Sequence, residues 1–215
     1  MLTVWGRRNS FNVQKIMWLV GELGIGHEHI AAGGDFGGLE TSKFLAMNPH
    51  GRVPVIQDGD VVVWESHAIL RYLAATYGQG QFWADNPAER SQADRWMDWS
   101  QASLQPDFLN GVFWGFYRTP EPLRDRRAVE AKVAFCTAYM RLLNQVLADQ
   151  PYLGGERLTL ADIPAGTVLF RYFGLEIERP SVPNVEAWYA RLQERPAYRE
   201  CVMVPFEDLK GRLAF

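Results

Sequence analysis

Apolar positions along the chain keep two different rhythms, and the change falls near residue 80. Leu2 to Trp5 is a short β-prone run. Phe11 to Leu23 carries Val13, Ile16, Met17, Val20 and Leu23 at three- and four-residue spacing, the period of an amphipathic helix. Gly24 stands where a helix stop is expected. Glu28 to Ala31 reads as a second strand and Gly33 to Gly38 as a flexible loop. Thr41 to Met47 reads as a short helix ending before Asn48-Pro49. A helix between the first two strands implies a parallel crossover.

The stretch from Asn48 to Ser66, NPHGRVPVIQDGDVVVWES, organises this half. Val53 to Ile56 reads as a strand with Pro54 at its head. Proline brings no N–H to a ladder, so it suggests either an edge strand or a cis bond that presents the preceding backbone to a ligand. Asp58-Gly59 signals a tight two-residue hairpin turn, and Val61 to Trp64 is the returning β-branched strand. Ser66 then stands as the N-cap of a helix reaching Tyr77. The order βαβ, short helix, ββα predicts a mixed four-stranded sheet covered by helices.

From Gly78 to Pro87 the pattern lapses, which marks a linker between a first domain, 1–78, and a second, 88–215. Beyond it no strand pattern recurs. Ala88 to Gln105 reads as a helix interrupted by Pro106, and Phe108 to Tyr117 as an aromatic-rich continuation. Arg124 to Asp149 reads as the longest helix, with Val129, Val133, Cys136, Met140, Leu143 and Leu147 on one face. In LTLADI, Thr159 and Asp162 stand as a capping box, and Leu158 and Ile163 as a hydrophobic staple, of a helix to about Phe173. Pro164 is expected to disturb that start slightly. Val185 to Glu194 is a last helix, halted before Pro196. The fold class is α/β followed by all-α.

Composition narrows the function. Of 215 residues, 22 are Lys or Arg and 25 Asp or Glu, for a net charge of −3 without a basic block, which argues against nucleic-acid binding. No apolar run approaches the ~20 residues of a membrane span, and the N-terminus lacks the apolar core of a signal peptide. Cys136 and Cys201 are isolated, so a reduced, cytoplasmic setting without disulfides is expected. His27 and His29 share a strand face, but no third ligand accompanies them and no metal is expected.

These elements carry a family resemblance over nearly the whole chain. NPHGRVPVIQDGD…WESHAIL is similar to the glutathione-site motif of the soluble glutathione S-transferases. NSFNVQKIMWLVGELGI is similar to the first-helix segment of their serine-type bacterial and theta-like members, and LTLADI to the cap and staple of their sixth helix. The resemblance implies a thioredoxin-like first domain, an all-helical second domain, glutathione as co-substrate, and a cytoplasmic homodimer packed across the Ser66 and Ala88 helices.

Such an enzyme must ionise a thiol. With an ordinary pKa near ~8.5, a thiol is only a few per cent thiolate at neutral pH. A hydroxyl donor and helix N-terminal amides both favour the anion. By resemblance Ser10 matches the serine that donates to the glutathione sulfur. Its residue type and place equally suit a plain helix cap. Asn12, whose amide can donate, is the alternative, and Asn9 a weaker third. The segment holds no cysteine or tyrosine for the other catalytic types, and the paired serines followed by cysteine of zeta-like isomerases are absent.

The resemblance further implies that Val53 pairs its backbone with the cysteinyl unit, with Pro54 cis. Glu65 and Ser66 would hold the γ-glutamyl end, and Arg52, with His50 contributing, the glycyl carboxylate. A His-Lys pair known before the NP of phi-like relatives is replaced here by Leu39 and Glu40, so the glycyl contacts differ. The electrophile is expected between the domains, near Trp5, Arg7, Arg8, Phe108, Phe113, Trp114, Phe116 and Tyr117, since aromatic surfaces suit flat acceptors. Alternatives are glutathione-dependent peroxidase, dehalogenase or disulfide-bond reductase activity, and a non-catalytic binding or assembly protein of the same fold.

Overall fold

In the computed structural model, which describes residues 1–213, β1 (Leu2–Trp5) lies in the middle of a four-stranded sheet. The strand order is β2-β1-β3-β4, with β2 (His27–Ile30), β3 (Val55–Asp58) and β4 (Val61–Trp64). β1 and β2 are parallel, joined through α1 (Phe11–Glu22) as the crossover requires, and the other pairs are antiparallel. Side chains alternate between faces. Leu2, Val4 and Ile56 are buried on the side where α1 packs against α3 (Ser66–Tyr77). On the other side α2 (Ser42–Met47) contributes Phe44 to a cluster with Ala32 and Val55, against which Trp5, Leu39, Met47, Val53 and Trp64 pack.

The helix ends follow from named residues. After Leu23, Gly24 adopts φ 63, its N–H reaching Gly21 O while Ile25 N–H reaches Val20 O, a Schellman stop that needs the left-handed residue. Thr41 caps α2, its hydroxyl accepting from Phe44 N–H at 3.3 Å.

Three details of the central stretch correct the sequence reading. Regular pairing begins at Val55 rather than Val53, so Pro54 precedes the ladder and removes no hydrogen bond from it. β3 is an inner strand, not an edge; of the two explanations for the proline, the cis Val53–Pro54 bond is the one present. The hairpin pairs Asp58 with Val61, so its turn residues are Gly59 and Asp60, with Gly59 at φ 59.

Contacts divide the chain into two units. The first comprises Met1–Trp83 and also Ala197–Val204, so a late segment returns to the sheet unit, where Tyr198 meets Trp18 edge-on at 4.8 Å. The second comprises Ala84–Pro196 and Pro205–Leu213. It begins with α4 (Pro87–Trp99), capped by Asn86, whose side chain accepts from Ala88 N–H at 2.8 Å. Pro106 does not interrupt the helical run beyond α4, which widens into π-type turns over Ser100–Leu104 and Pro106–Arg118. A wide ladder relieves the clash of a proline ring with the preceding carbonyl, so the helix passes through.

α5 (Arg126–Val146) starts two residues later than expected, because Asp125 caps it through Ala128 N–H at 3.0 Å. α6 (Asp162–Gly174) is the buried centre of the unit. Asp162 accepts from Thr159 N–H at 3.0 Å and Leu153 N–H at 2.8 Å, while Thr159 Oγ1 accepts from Ala161 N–H at 3.2 Å, forming the box; Leu158 and Ile163 are both buried. Pro164 has no N–H to give Leu160 O, and the start is slightly disturbed as expected: Leu160 and Ala161 form a tighter turn, with Asp162 N–H on Thr159 O at 3.1 Å, and the regular helix begins at Asp162. α7 (Pro183–Gln193) precedes a short helix not expected from the sequence, α8 (Pro196–Cys201), which Pro196 opens rather than blocks.

Candidate active site

The β1–α1 loop presents the first half of the site. Ser10 occupies the N-cap position of α1 with extended backbone, its carbonyl accepting from Gln14 N–H at 2.9 Å. Its hydroxyl does not cap. It is 8% exposed, and the first turn of α1 holds no acidic side chain. A hydroxyl and a set of helix N-terminal amides thus stand together without a built-in anion, an arrangement that favours an incoming thiolate. Asn12, half-buried in the first turn of α1, turns its Oδ1 toward Ser66 Oγ, which donates across 3.5 Å.

The loop before β3 presents the second half. Asn48, 3% exposed, is its organiser: Nδ2 donates to Arg52 O at 2.8 Å and Oδ1 accepts from His50 N–H at 3.0 Å. These two bonds fix the turn that leads into Val53. Val53 has neither backbone group in a hydrogen bond among the described residues, leaving an N–H and a C=O for a peptide to meet. The side chains of Arg52 and His50 are at the surface, the His50 ring tilted over Trp64 at 5.2 Å.

Glu65 and Ser66 close the arrangement. Ser66 is the first residue of α3 rather than its cap, and is 2% exposed. The cap position belongs to Glu65, which has φ 69, the sole positive φ outside glycine among the described residues. Its carboxylate makes no cap bond, which leaves the first amides of α3 uncapped by a side chain.

Gly6 joins the halves. Its N–H donates to Ile30 O at 2.9 Å, and His29 Nε2–H donates to its carbonyl at 2.7 Å. Its α-carbon packs between Val13 and Val53, closer than a β-carbon would allow. Sequence reasoning singles out neither Gly6 nor Asn48. A glycine directly after a strand and an asparagine directly before Pro49 are the available signals.

The other predicted residues lie in two places. In the first unit Trp5 packs in the cluster behind the sheet. Arg7 lies over Gly33 and Gly34; burial lowers its pKa and the Asp35 carboxylate opposes that shift. Arg8 is exposed and reaches Glu200 O at 3.5 Å. In the second unit Phe108 and Phe113 are fully buried. Tyr117 stacks on Phe113 at 5.3 Å, with Phe206 edge-on at 5.2 Å from Tyr117. Arg118 covers the Trp114 ring at 3.8 Å, and Arg124 covers Phe116 at 4.8 Å. No group of three metal-ligating side chains occurs among the described residues.

Comparison with known proteins places this geometry. Residues 1–75 match the family model "Glutathione S-transferase, N-terminal domain", and residues 107–196 match "Glutathione S-transferase, C-terminal domain". The chain is 41% identical to glutathione S-transferase GstB of Escherichia coli (strain K12), over 95% of this chain and 99% of that protein. It is 29% identical to glutathione S-transferase 3 of Zea mays, over 94% and 93% of the two. Among solved structures, it superimposes with a TM-score of 0.89 on the theta class glutathione S-transferase of Xanthomonas axonopodis pv. citri with glutathione bound, at 45% identity over 95% of this chain and 98% of that one. With both domain models matched and close relatives covered from end to end, the chain belongs to the glutathione S-transferase family.

Proposed function

We propose that this glutathione S-transferase ionises the glutathione thiol with the Ser10 hydroxyl and joins the sulfur to small apolar electrophiles. The observation that carries the assignment is that Ser10 occupies a cap position without using its hydroxyl as a cap. The hydroxyl donates to the sulfur, and the α1 amides add their field. Lowering a thiol pKa by about two units takes roughly 2.7 kcal/mol, within reach of one hydrogen bond to a charged group together with a helix terminus. Asn12 stands second, since it lies in the first turn of α1 facing Ser66 and its side chain carries an amide of the type that can donate to a thiolate.

Val53 pairs its backbone with the cysteinyl unit as a one-residue strand addition. The α3 amides and Ser66 hold the γ-glutamyl carboxylate, and the Glu65 carboxylate its ammonium. Arg52, with His50 beside it, takes the glycyl carboxylate. The thiolate attacks an electrophilic carbon, the new C–S bond forms, and a leaving group such as chloride departs with the bonding pair. The thiol proton leaves to solvent. The electrophile is assigned to Trp114 and Tyr117 of the second unit, which are only half-buried; Phe108 and Phe113, fully buried, belong to the core behind them. The division into domains 1–78 and 88–215, a homodimer formed through α3 and α4, a detoxifying role and a cytoplasmic setting complete the proposal. Two free cysteines accord with the last.

A crystal structure with glutathione tests the assignment. Ser10 Oγ within hydrogen-bond distance of the sulfur is the expected result; Asn12 Nδ2 in that position, with Ser10 turned away, overturns it.

A further inference from the structure

Lys15 has no solvent exposure. It lies on α1, and its Nζ is 3.2 Å from Nε2 of His67 on α3 and 5.1 Å from the centre of the Phe11 ring. A buried ammonium is costly unless opposite charge and hydrogen bonds surround it. Glu65 supplies the opposite charge: its carboxylate favours the ammonium against the burial that draws the lysine pKa down to about 7. His67 stays neutral, because burial, Lys15 and Arg71 all push its pKa down, to about 2. If the lysine donates, Nε2 accepts and the ring proton sits on Nδ1, which is buried without a partner. An apolar pair would join α1 to α3 without that unsatisfied group. The arrangement therefore points to a task other than packing. Both residues stand next to the site: Lys15 one turn beyond Asn12, and His67 directly after Glu65 and Ser66.

We propose that Lys15 is a positioning residue for glutathione: its buried ammonium holds the Glu65 carboxylate and, through His67, the start of α3, so that Glu65 meets the γ-glutamyl ammonium. The inference rests on the assignment of Glu65 and Ser66 to the γ-glutamyl end. Charges then alternate outward, from lysine ammonium to glutamate carboxylate to ligand ammonium. The left-handed backbone at Glu65, uncommon for any residue with a β-carbon, is where the middle charge needs holding.

The test compares wild type with Lys15→Met, which keeps length and removes charge, using glutathione and a glutathione analogue lacking the α-amino group. Lys15→Met should raise the KM for glutathione about tenfold while kcat at saturating glutathione stays within about twofold, because uniform binding and not the transition state is affected. Binding of the deamino analogue should be the same in both proteins. Glu65→Gln should absorb the effect, the double variant binding glutathione no more weakly than Glu65→Gln alone. His67→Leu, which removes the acceptor, should show the same ligand-selective loss and serves if Lys15→Met does not fold. Equal affinity for glutathione in wild type and Lys15→Met, or an equal loss for both ligands, overturns the inference while leaving the site assignment standing. A wild-type protein that binds no glutathione overturns the site assignment, and this inference with it.

Discussion

Gly6 and Val13 are packed so closely that a β-carbon on Gly6 would overlap Cγ2 of Val13 and sit 3.2 Å from Cβ of Val53. The contact ties the loop carrying Ser10 to the residue assigned to the peptide backbone of glutathione. It fixes the approach of the β1–α1 loop to Val53. Gly6→Ala must move one of the two valines, at an overpacking cost of about 1–3 kcal/mol, and its φ of 151 adds to the strain. The expected outcome is a lower urea midpoint together with a raised KM for glutathione. A lower midpoint with unchanged KM would show that the contact serves folding alone.

Ser10→Ala separates chemistry from capping. A serine that caps loses about 1 kcal/mol of stability on truncation. Because the Ser10 hydroxyl makes no cap bond, the variant should keep its melting temperature. Loss of one donor to a developing anion typically lowers turnover about a hundredfold. With a chloronitroarene and saturating glutathione, kcat should fall by that order, and the thiol pKa read from thiolate absorbance should rise. Full activity in Ser10→Ala with loss in Asn12→Ala would transfer the role to Asn12.

The fold was largely legible because its signals are local. The three- and four-residue steps from Val13 to Leu23, the glycine stop at Gly24 and the box at Thr159–Asp162 each depend on neighbours in sequence, and each helix formed where expected. The misplacements share a cause. The proline at 54, the cap at Glu65 and the passage through Pro106 are decided by tertiary context: an inner strand, a left-handed junction and a widened helix. Lys15 illustrates the limit for the site. A lysine beside Ile16 and Met17 reads as the polar edge of a helix, and only the approach of His67, 52 positions away, reveals it as buried.

Asp162 makes the stability of the second unit pH-dependent. It is fully buried, and burial raises its pKa from 3.8 to about 6, outweighing the hydrogen bonds from Thr159, Leu153 and Gly154 that favour the anion. The folded-state pKa lies above the unfolded one, so the contribution is full below about 4 and is lost as pH rises through about 6. A difference of about two units corresponds to a contribution on the order of 3 kcal/mol. Asp162→Asn cannot ionise. The difference in urea midpoint between wild type and this variant should shift in favour of the variant between about pH 4 and pH 7, then level off. A difference flat across that range would show that the carboxylate stays ionised and that the backbone donors win.

Asn48→Asp tests whether the loop before Val53 is built for binding. The substitution keeps an acceptor for His50 N–H and replaces the donor to Arg52 O with a second oxygen, so two acceptors face each other. At 3% exposure an unpaired acceptor costs about 1–3 kcal/mol, more when charged. The carboxylate is expected to bind a proton to restore the donor, which makes the defect worse as pH rises. Arg52 and Val53 follow the carbonyl bond that is lost, so glutathione affinity should fall with stability, about tenfold for each 1.4 kcal/mol passed to the site. The affinity should recover at low pH, where the protonated side chain donates again. Calorimetric binding of S-methylglutathione, which has no ionising thiol, reads this recovery directly. An affinity defect that is the same at about pH 5 and pH 8 would show that the Asn48 to Arg52 bond does not set the Val53 backbone.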